Sequence, residues 1–258
     1  MNIVVVGSGN VAAVLGRKFV HAGHTILQVL SRNAGAASEL AHEWNTESAH
    51  YSSLINKQAD VYIIAVADDA IEDVVKDLRL PDKIVAHTAG AVKMEVLKNV
   101  TSNYGVFYPL QSLRKEQEQI PDTPIYIEGA NEDTKLGLNK LARSIYEDAV
   151  FTADYEKRAK LHVAGVLVNN FTNHIFSLAE IYCKKEGIDF SELLPLIDNT
   201  LYRLHEASPS TLQTGPAARG DMDTIEKHRA ILKNHPGLLE LYTFLTESIL
   251  GRSLGQKT

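Results

Sequence analysis

The sequence is poor in the residues that mark several classes of protein. Its 258 residues include one cysteine, Cys183, so an intrachain disulfide is excluded and nothing indicates a secreted protein. The net charge is −6 and the cations form no dense cluster, which argues against nucleic acid or an anionic membrane as the main partner. No apolar run reaches membrane-spanning length, and the first, Ile3–Val6, has no cationic leader. We therefore expect a cytoplasmic protein with no nucleic-acid or membrane partner.

Short β-branched runs alternate with stretches of helical periodicity in the first part of the chain. The runs are mostly apolar throughout, which is typical of strands that helices cover on both faces. Strand, helix and strand in this order predict parallel βαβ units and an α/β fold. Hydrophobic residues make up 45% of the chain, which is enough for such a core. The predicted strands are Ile3–Val6, Thr25–Leu30, Val61–Val66, Lys83–His87, Tyr104–Tyr108, Pro124–Glu128 and Val150–Thr152.

The periodicity changes after Thr152, and the rest of the chain predicts helices alone. One long helix without internal proline is expected from Asp154 to about Lys185, with Gly187 as its stop signal. Three further helices are predicted at Ser191–Glu206, Asp221–Lys233 and Pro236–Leu250. The sequence thus predicts two domains, one of residues 1–152 and an all-helical one of residues 153–258.

The first strand runs directly into Gly7-Ser8-Gly9-Asn10-Val11-Ala12, a G-x-G-x-x-A pattern. Gly7 permits a tight turn, Gly9 lets a pyrophosphate approach the backbone, and Ala12 is small enough for close packing of helix on strand. The helix that begins there offers free N–H groups to phosphates. This context predicts a dinucleotide site in a doubly wound parallel sheet, the Rossmann fold, with a glycine turn of another α/β protein as the alternative. The cofactor contacts expected here are Gly7, Ser8, Gly9, Asn10 and Val11.

The position about twenty residues after the fingerprint distinguishes NADP from NAD. NAD enzymes usually carry Asp or Glu there, to bind the ribose 2′-hydroxyl. This sequence has Ser31-Arg32-Asn33 at the end of the second predicted strand, with nothing acidic. An arginine and a hydroxyl suit a 2′-phosphate, so we expect Ser31 and Arg32 to bind NADP(H). The alternative is that Arg32 is a solvated surface residue.

Three segments follow predicted strands at the carboxyl edge of the sheet, where ligands of such sheets bind. Ala65 and Val66 end the third predicted strand, His87 and Thr88 lie at the end of the fourth, and Gln111 follows the fifth. We expect Ala65, Val66 and Thr88 to contact the cofactor. Gln111 is expected to contact the substrate and His87 to take part in catalysis. A structural histidine bonded to the neighbouring backbone is the alternative for His87.

The long predicted helix carries a second cluster of polar residues. At α-helical spacing, His162, Asn169 and Asn173 fall on one face. Buried amides are costly unless paired, so a ligand would explain them, and a dimer partner or a helix–helix hydrogen bond are alternatives. We assign Asn173 to the substrate together with Arg219, whose guanidinium suits a carboxylate or phosphate unless it only fixes its loop. No group of side chains predicts a metal site.

Together these residues resemble a known family, in which a Rossmann-like NADP oxidoreductase domain precedes a helical domain of formerly unknown function. The resemblance covers nearly the whole chain. Its marks are Gly7–Ala12, Asp60–Val66, His87–Ala91, Tyr108–Leu113, His162 with Asn169, and Gly215–Asp221 with His228. More widely, the chain resembles the superfamily of 6-phosphogluconate dehydrogenase, 3-hydroxyacid dehydrogenase, pyrroline-5-carboxylate reductase and the deazaflavin-dependent NADP reductases. The resemblance implies that the helical domain forms a homodimer and closes the active site between subunits.

One departure from the superfamily bears on the chemistry. Its hydroxyacid dehydrogenases carry a catalytic lysine about one turn before an asparagine on the long helix, whereas this chain has Gly165 four residues before Asn169. The resemblance therefore does not carry the hydroxyacid chemistry over. His162 is the candidate substitute, because the histidine side chain titrates near neutral pH.

The leading hypothesis is an NADP-dependent reductase of a small carbonyl or imine compound, in which a positioned acid supplies the proton. Its catalytic candidates are His162, His87 and Asn169. Two alternatives remain open. One is an NADP-binding sensor or scaffold that lacks a competent acid, and the other is an enzyme that passes hydride between NADP and a deazaflavin-like cofactor.

Overall fold

The computed structural model describes residues 1–117 and 122–251 of the chain. The chain divides into two compact units, Met1–Asn170 and Phe171–Thr258. The boundary predicted after residue 152 marks the change from strands to helices, and the division between the units falls within the long helix that follows. The two mark different features, so the domain boundary at 152/153 stays a prediction.

Eight strands of the first unit form one sheet. They are β1 (Asn2–Val6), β2 (Thr25–Leu30), β3 (Glu47–Ala49), β4 (Val61–Ile64), β5 (Ile84–His87), β6 (Tyr104–Pro109), β7 (Ile125–Gly129) and β8 (Val150–Thr152). Their order across the sheet is β3-β2-β1-β4-β5-β6-β7-β8. The chain moves outward from β1 to β3 and then crosses back to place β4 on the other side of β1. This crossover creates a switch point beyond the carboxyl ends of β1 and β4, where ligands of doubly wound sheets bind.

The doubly wound fold is confirmed, with one departure from a wholly parallel sheet at its edge. The pairs from β3 through to β6 are parallel, β7 runs antiparallel to β6, and β8 is parallel to β7. A parallel neighbour needs a crossover, usually a helix, and the described part of the segment between β6 and β7 contains none. The short strand β3 was not predicted, because Glu47-Ser48-Ala49 offers no apolar run.

Helices follow the strands in the first unit and make up the second. They are α1 (Asn10–His21), α2 (Ala34–Glu43), α3 (Ile71–Val75), α4 (Glu132–Ile145), α5 (Tyr155–Gly165), α6 (Thr172–Glu186), α7 (Leu194–Arg203), α8 (Pro209–Leu212), α9 (Pro216–Arg219), α10 (Met222–Ile231) and α11 (Pro236–Ile249). Within the described residues, no helix has both the length and the apolar character needed to cross a bilayer.

Alternate residues of the central strands enter two separate cores. In β1, Ile3 and Val5 belong to one core, and Val4 and Val6 belong to the other, as the two-residue period of a strand requires. The first core also draws residues from α1, α2 and α4, and the second from α3. Helices therefore cover both faces of the sheet, as its apolar strand sequences predict.

The long predicted helix is present, but its middle is not α-helical. Asp154 caps α5 by accepting a hydrogen bond from the Lys157 N–H at 2.8 Å, and α6 ends at Gly187 in the left-handed conformation, with φ of 72°. Between α5 and α6, Val166–Phe171 forms a π-helix. A π segment has more residues per turn than an α-helix, so α-helical spacing cannot show that residues before and after it share a face. Such segments are frequent at functional sites.

Candidate functional site

A cavity of about 980 Å³ opens at the carboxyl ends of β1, β2 and β4. These are the strands on either side of the switch point, so the cavity lies where the fold places its ligand. Its lining includes every residue predicted to contact the cofactor except Thr88. The predicted residues that line it are Gly7, Ser8, Gly9, Asn10, Val11, Ser31, Arg32, Ala65 and Val66.

The two glycines of the fingerprint are required for different reasons. Gly7 has φ of 124°, and a Cβ built there would lie 2.0 Å from the carbonyl oxygen of Ala65, so the chain itself demands glycine. Gly9 has an ordinary φ of −84°, and a Cβ there would meet nothing within 4 Å. No contact within the described residues therefore requires glycine at position 9. A ligand that approaches the backbone from the cavity would require it.

The start of α1 is suited to an anion. Its N-cap is Gly9, so no side chain caps the first N–H groups, and its first turn has no acidic residue. The dipole of this twelve-residue helix favours negative charge at the same end. Beside it, the hydroxyls of Ser8 and Ser31 hydrogen-bond at 2.8 Å and join the fingerprint loop to the end of β2. These residues fit a pyrophosphate.

The rim of the cavity beyond β2 carries one exposed cation. Arg32 lines the cavity and is exposed, whereas its neighbour Asn33 caps α2 by accepting a hydrogen bond from the Ala36 N–H at 3.1 Å. No acidic residue from β2 or its following loop lines the cavity; Asp73, on α3, is the acidic member of the lining. A guanidinium there fits a phosphate group better than a ribose hydroxyl.

One whole segment of the lining was missed by the sequence interpretation. His50, Tyr51 and Ser52 follow β3 and reach the cavity because β3 pairs with β2, with the Ser31 N–H donating to the Ala49 carbonyl at 3.0 Å. The rings of His50 and Tyr51 lie 4.1 Å apart between centroids. Without a prediction for β3, no sequence signal placed this segment beside the fingerprint.

His87 and Thr88 lie inside the first unit and outside the cavity lining. The Thr88 N–H donates to the Ile64 carbonyl at 3.1 Å, which extends the β4–β5 pairing by one residue. His87 is fully buried, and its Nδ1 accepts a hydrogen bond from the Ala89 N–H at 3.2 Å. Burial, with a smaller effect of the Arg158 charge, lowers the pKa of His87 to about 4. This is the backbone-bonded histidine that the sequence left open as an alternative, and a catalytic role for His87 stays a prediction.

A second group of titratable side chains includes the residue that follows the cavity lining at the end of β4. The Tyr108 hydroxyl at the end of β6 is 3.2 Å from Nδ1 of His162 on α5. Asp68 follows Ala67 of the cavity lining, and burial raises the pKa of its carboxyl, while the His162 charge opposes that rise. Burial also raises the pKa of Tyr108, followed by the effect of the Asp68 charge. The predicted His162 is thus half-buried beside two groups that the sequence interpretation did not select.

The position of α5 is fixed by Arg158, one turn before His162. Arg158 is fully buried and forms an ion pair with Glu128 on β7. Its second terminal nitrogen donates to the Val92 carbonyl at 2.7 Å. The sequence interpretation did not select Arg158. Its burial holds the helix against the sheet and with it the side chain of His162.

The remaining predicted site residues do not line the cavity. Gln111 is half-buried, and its side-chain oxygen accepts a hydrogen bond from the Ser112 N–H at 2.9 Å. Asn169 lies exposed in the π segment, and Asn173 and Arg219 are exposed in the second unit. Their catalytic and substrate roles stay predictions. Among the described residues, no group of three or more His, Cys, Asp or Glu side chains could hold a metal ion.

Two family models match the sequence. That of the coenzyme F420-dependent NADP oxidoreductases matches residues 2–89, and that of a domain of unknown function, DUF2520, matches residues 123–249. A solved structure from Bacteroides fragilis, assigned as an NADP oxidoreductase, is 36% identical and has a TM-score of 0.89, with 97% of this chain and 98% of that chain covered. The chain belongs to this NADP oxidoreductase family. Membership confirms the predicted family, fold and NADP(H) cofactor.

More distant solved structures share the fold. A Thermotoga maritima protein is 23% identical with a TM-score of 0.72, and the match covers 99% of this chain and 100% of that one. An imine reductase from Myxococcus stipitatus in complex with NADP⁺ is 14% identical with a TM-score of 0.68, over 99% and 96% of the two chains. At these identities the likeness shows the fold alone. No curated protein matches the sequence.

Proposed function

We propose that the chain is an NADP-dependent reductase of a small carbonyl or imine compound. The observation that carries the proposal is the hydrogen-bonded Tyr108–His162 pair, which interacts electrostatically with Asp68, the residue that follows Ala67 of the cavity lining. A dinucleotide site alone would also serve a sensor. Titratable groups that can hold and move a proton next to that site are what a reductase needs in addition.

The cofactor is held by residues of three adjacent strand ends. The N–H groups at the start of α1 receive the pyrophosphate, and Gly9 leaves room for it. Arg32 and Ser31 receive the 2′-phosphate. Ala65 and Val66 line the cavity toward Asp68 and leave space for the nicotinamide. Bound NADPH supplies the hydride that reduces the substrate.

The helical unit suits a homodimer. Helix α7 is apolar along one side but contains no buried residue, and Leu196 and Tyr202 on it are largely exposed. Large exposed apolar patches mark interaction surfaces. Because the family resemblance implies a helical dimerisation domain, a second copy of this chain is the proposed cover.

Hydride exchange with a deazaflavin cofactor is the second candidate. It is favoured by the description of the family model over residues 2–89, which is that of coenzyme F420-dependent NADP oxidoreductases. A deazaflavin takes or gives the hydride in place of a metabolite. The two candidates share the NADP site and differ only in the second substrate.

A cofactor preference test examines the NADP site. Replacing Arg32 by Asp removes a charge-assisted contact of about 1.5–3 kcal/mol, so the affinity for NADP⁺ should fall roughly 10- to 100-fold. The weaker affinity for NAD⁺ should not fall, because NAD⁺ has no 2′-phosphate. Titration calorimetry measures both, and Lys57→Asp, an exposed cation that does not line the cavity, is the control. Equal NADP⁺ affinity in wild type and Arg32→Asp contradicts the assignment.

An activity screen examines the reaction. Oxidation of NADPH is followed at its absorbance with pyruvate, glyoxylate, 1-pyrroline and coenzyme F420 as acceptors. Turnover of a carbonyl or the imine supports the reductase, and turnover of F420 alone supports the second candidate. NADPH binding without turnover of any acceptor favours the sensor alternative.

A further inference from the structure

Tyr108 occupies a position that the sequence interpretation did not connect with catalysis. It is the last residue but one of β6, at the carboxyl edge of the sheet, and its hydroxyl lies 3.2 Å from Nδ1 of His162 on α5. Asp68, which follows β4, acts electrostatically on both side chains. Three titratable groups from three different segments thus converge, and one of them, Asp68, directly follows the cavity-lining residue Ala67. Coupled groups at such an edge are characteristic of functional sites.

We propose that Tyr108 is the residue that hands the proton to the reduced substrate and that His162 replaces that proton. The proposal rests on the proposed reductase function and makes His162, the acid expected from the sequence, the second member of a relay. It concerns only residues of the first unit.

The phenol ring of Tyr108 is rigidly placed. A Cβ built on Gly90, in the loop after β5, would lie 2.8 Å from Cζ of Tyr108, so the ring packs directly on the Gly90 backbone. Only 7% of Tyr108 is exposed, and its hydroxyl is the end that reaches His162. A proton donor must keep a fixed position to stay within hydrogen-bond reach of its acceptor, and contact with the backbone fixes the position of this ring.

The hydrogen bond between the two side chains can run in either direction. When Nδ1 of His162 carries no proton, Tyr108 donates to it, and the phenol proton is occupied. When Nδ1 is protonated, it donates to the phenol oxygen, and the O–H of Tyr108 is free to point at another acceptor. Protonated His162 therefore prepares Tyr108 to donate.

The proton balance follows from this geometry. As the substrate carbon is reduced, the π electron pair of its C=O or C=N bond moves to the oxygen or nitrogen. That atom takes the proton from the Tyr108 O–H, which becomes a phenolate. The phenolate takes the proton from Nδ1 of His162, and His162 recovers one from solvent, to which it is partly exposed. The product is an alcohol or amine, and the cofactor leaves oxidised.

The groups around Tyr108 favour its protonated form. Burial and the negative charge of Asp68 raise its pKa, Arg158 opposes them, and Tyr126 adds a small rise. Tyr108 therefore carries its proton at neutral pH, but the raised pKa also makes the phenol a weaker acid, so the hydrogen bond from protonated Nδ1 of His162 is needed to stabilise the phenolate as it forms. His87 is not suited to the same role, since its low pKa keeps it neutral and its Nδ1 is engaged by Ala89.

The decisive variant is Tyr108→Phe, which removes one hydroxyl and keeps the ring on Gly90. With an acceptor that the wild type reduces, kcat should fall about 10²–10⁴-fold, the scale of general acid catalysis, while KM and NADPH affinity change little. His162→Ala should lower kcat less, because water can return the proton to the phenolate. Tyr104→Phe is the matched control, since Tyr104 lies four residues earlier in β6 and packs against the core.

A second measurement does not depend on turnover. The ¹⁵N resonance of His162 Nδ1, recorded by NMR in the protein with and without NADP⁺, should shift in Tyr108→Phe and stay unchanged in Tyr104→Phe. An unchanged resonance in Tyr108→Phe overturns the proposal, because the pair then does not exist in solution. An active Tyr108→Phe beside an inactive His162→Ala also overturns it and leaves the reductase function intact. A wild type that binds NADPH but reduces no carbonyl or imine is instead a failure of the proposed function.

Discussion

The two units of the chain bury their apolar residues to very different degrees. Both hydrophobic cores consist of residues of the first unit alone. Among the described residues of the second unit, up to residue 251, the buried apolar ones are few, namely Cys183, Ala217, Ile225 and Leu232. Most of the large apolar side chains that are exposed in the described part of the chain lie in the second unit, from Phe171 onward, although the first unit is the larger of the two.

The difference indicates what each unit needs. A sheet covered by helices on both faces completes its own core, so the nucleotide site is built on a rigid frame. The helices of the second unit leave apolar sides exposed to water. Burial of these sides against another surface would contribute about 25 cal/mol of free energy per Å² of apolar area. The first unit thus reflects folding within one chain, and the second is suited to association.

The largest effect expected in the first unit comes from its buried ion pair. Replacing Arg158 by Met leaves the Glu128 carboxylate without its partner, and breaking a buried pair costs about 3–5 kcal/mol. The free energy of unfolding in urea, at fixed protein concentration, should fall by that amount. Lys160→Ala is the control, since the Lys160–Glu156 pair is exposed and should contribute little. Equal stability of the two variants would show that Arg158 does not anchor α5.

The pH dependence of the first unit should follow from His87. Its pKa is lowered to about 4 in the folded chain, so between about pH 6.5 and 4 the unfolded chain binds more protons than the folded one. His87 therefore contributes stability that is fully present above about pH 6.5 and is lost as the pH falls toward 4, about 3 kcal/mol in all.

Urea unfolding at pH 7 and pH 5 measures this loss. His87→Gln should make the stability less dependent on pH, whatever its effect on the absolute value, and the exposed His42→Gln should not. A pH slope that survives in His87→Gln would assign the acid sensitivity to other groups.

The smallest effect contrasts one leucine from each unit. Leu196 on α7 and Leu136 on α4 are 65% and 67% exposed, so within one chain they are equivalent. If a second copy covers the helical unit, Leu196→Asp loses about 2 kcal/mol of burial and should weaken the dimer at least tenfold. Leu136→Asp should change nothing. Sedimentation at several protein concentrations distinguishes the two variants. A wild-type chain that is monomeric at micromolar concentration would contradict the proposed homodimer.

Local signals in the sequence were enough for most of the fold. The run Thr25–Leu30 became β2 with the same bounds, because a buried strand between turn residues is encoded locally. A helix was predicted to start at Asp221, and Asp221 caps α10, with its carboxylate accepting hydrogen bonds from the Thr224 N–H and hydroxyl. β3 and the π segment were missed, since the first has no apolar run and the second has no composition of its own.

The candidate site was less accessible from sequence for a different reason. The fingerprint is a continuous stretch, so the cavity around Gly7 and Gly9 was foreseeable. Tyr108 and His162 are 54 residues apart and meet only because β6 and α5 pack in one unit. Arg158 could not be distinguished from surface cations until its burial was known. Pairings between distant segments depend on tertiary packing, which periodicity does not encode.

The contrast between Gly7 and Gly9 has a consequence for how the protein could lose its cofactor. One added methyl group at position 7 collides with the neighbouring strand, so a chain altered there is lost to misfolding and degradation together with its site. The same methyl at position 9 meets only the space that the nucleotide would enter. A single-codon change to alanine at Gly9 would therefore yield an abundant, correctly folded chain that is blind to NADP(H). Variation at position 9 would therefore separate the loss of NADP(H) binding from the loss of the folded protein.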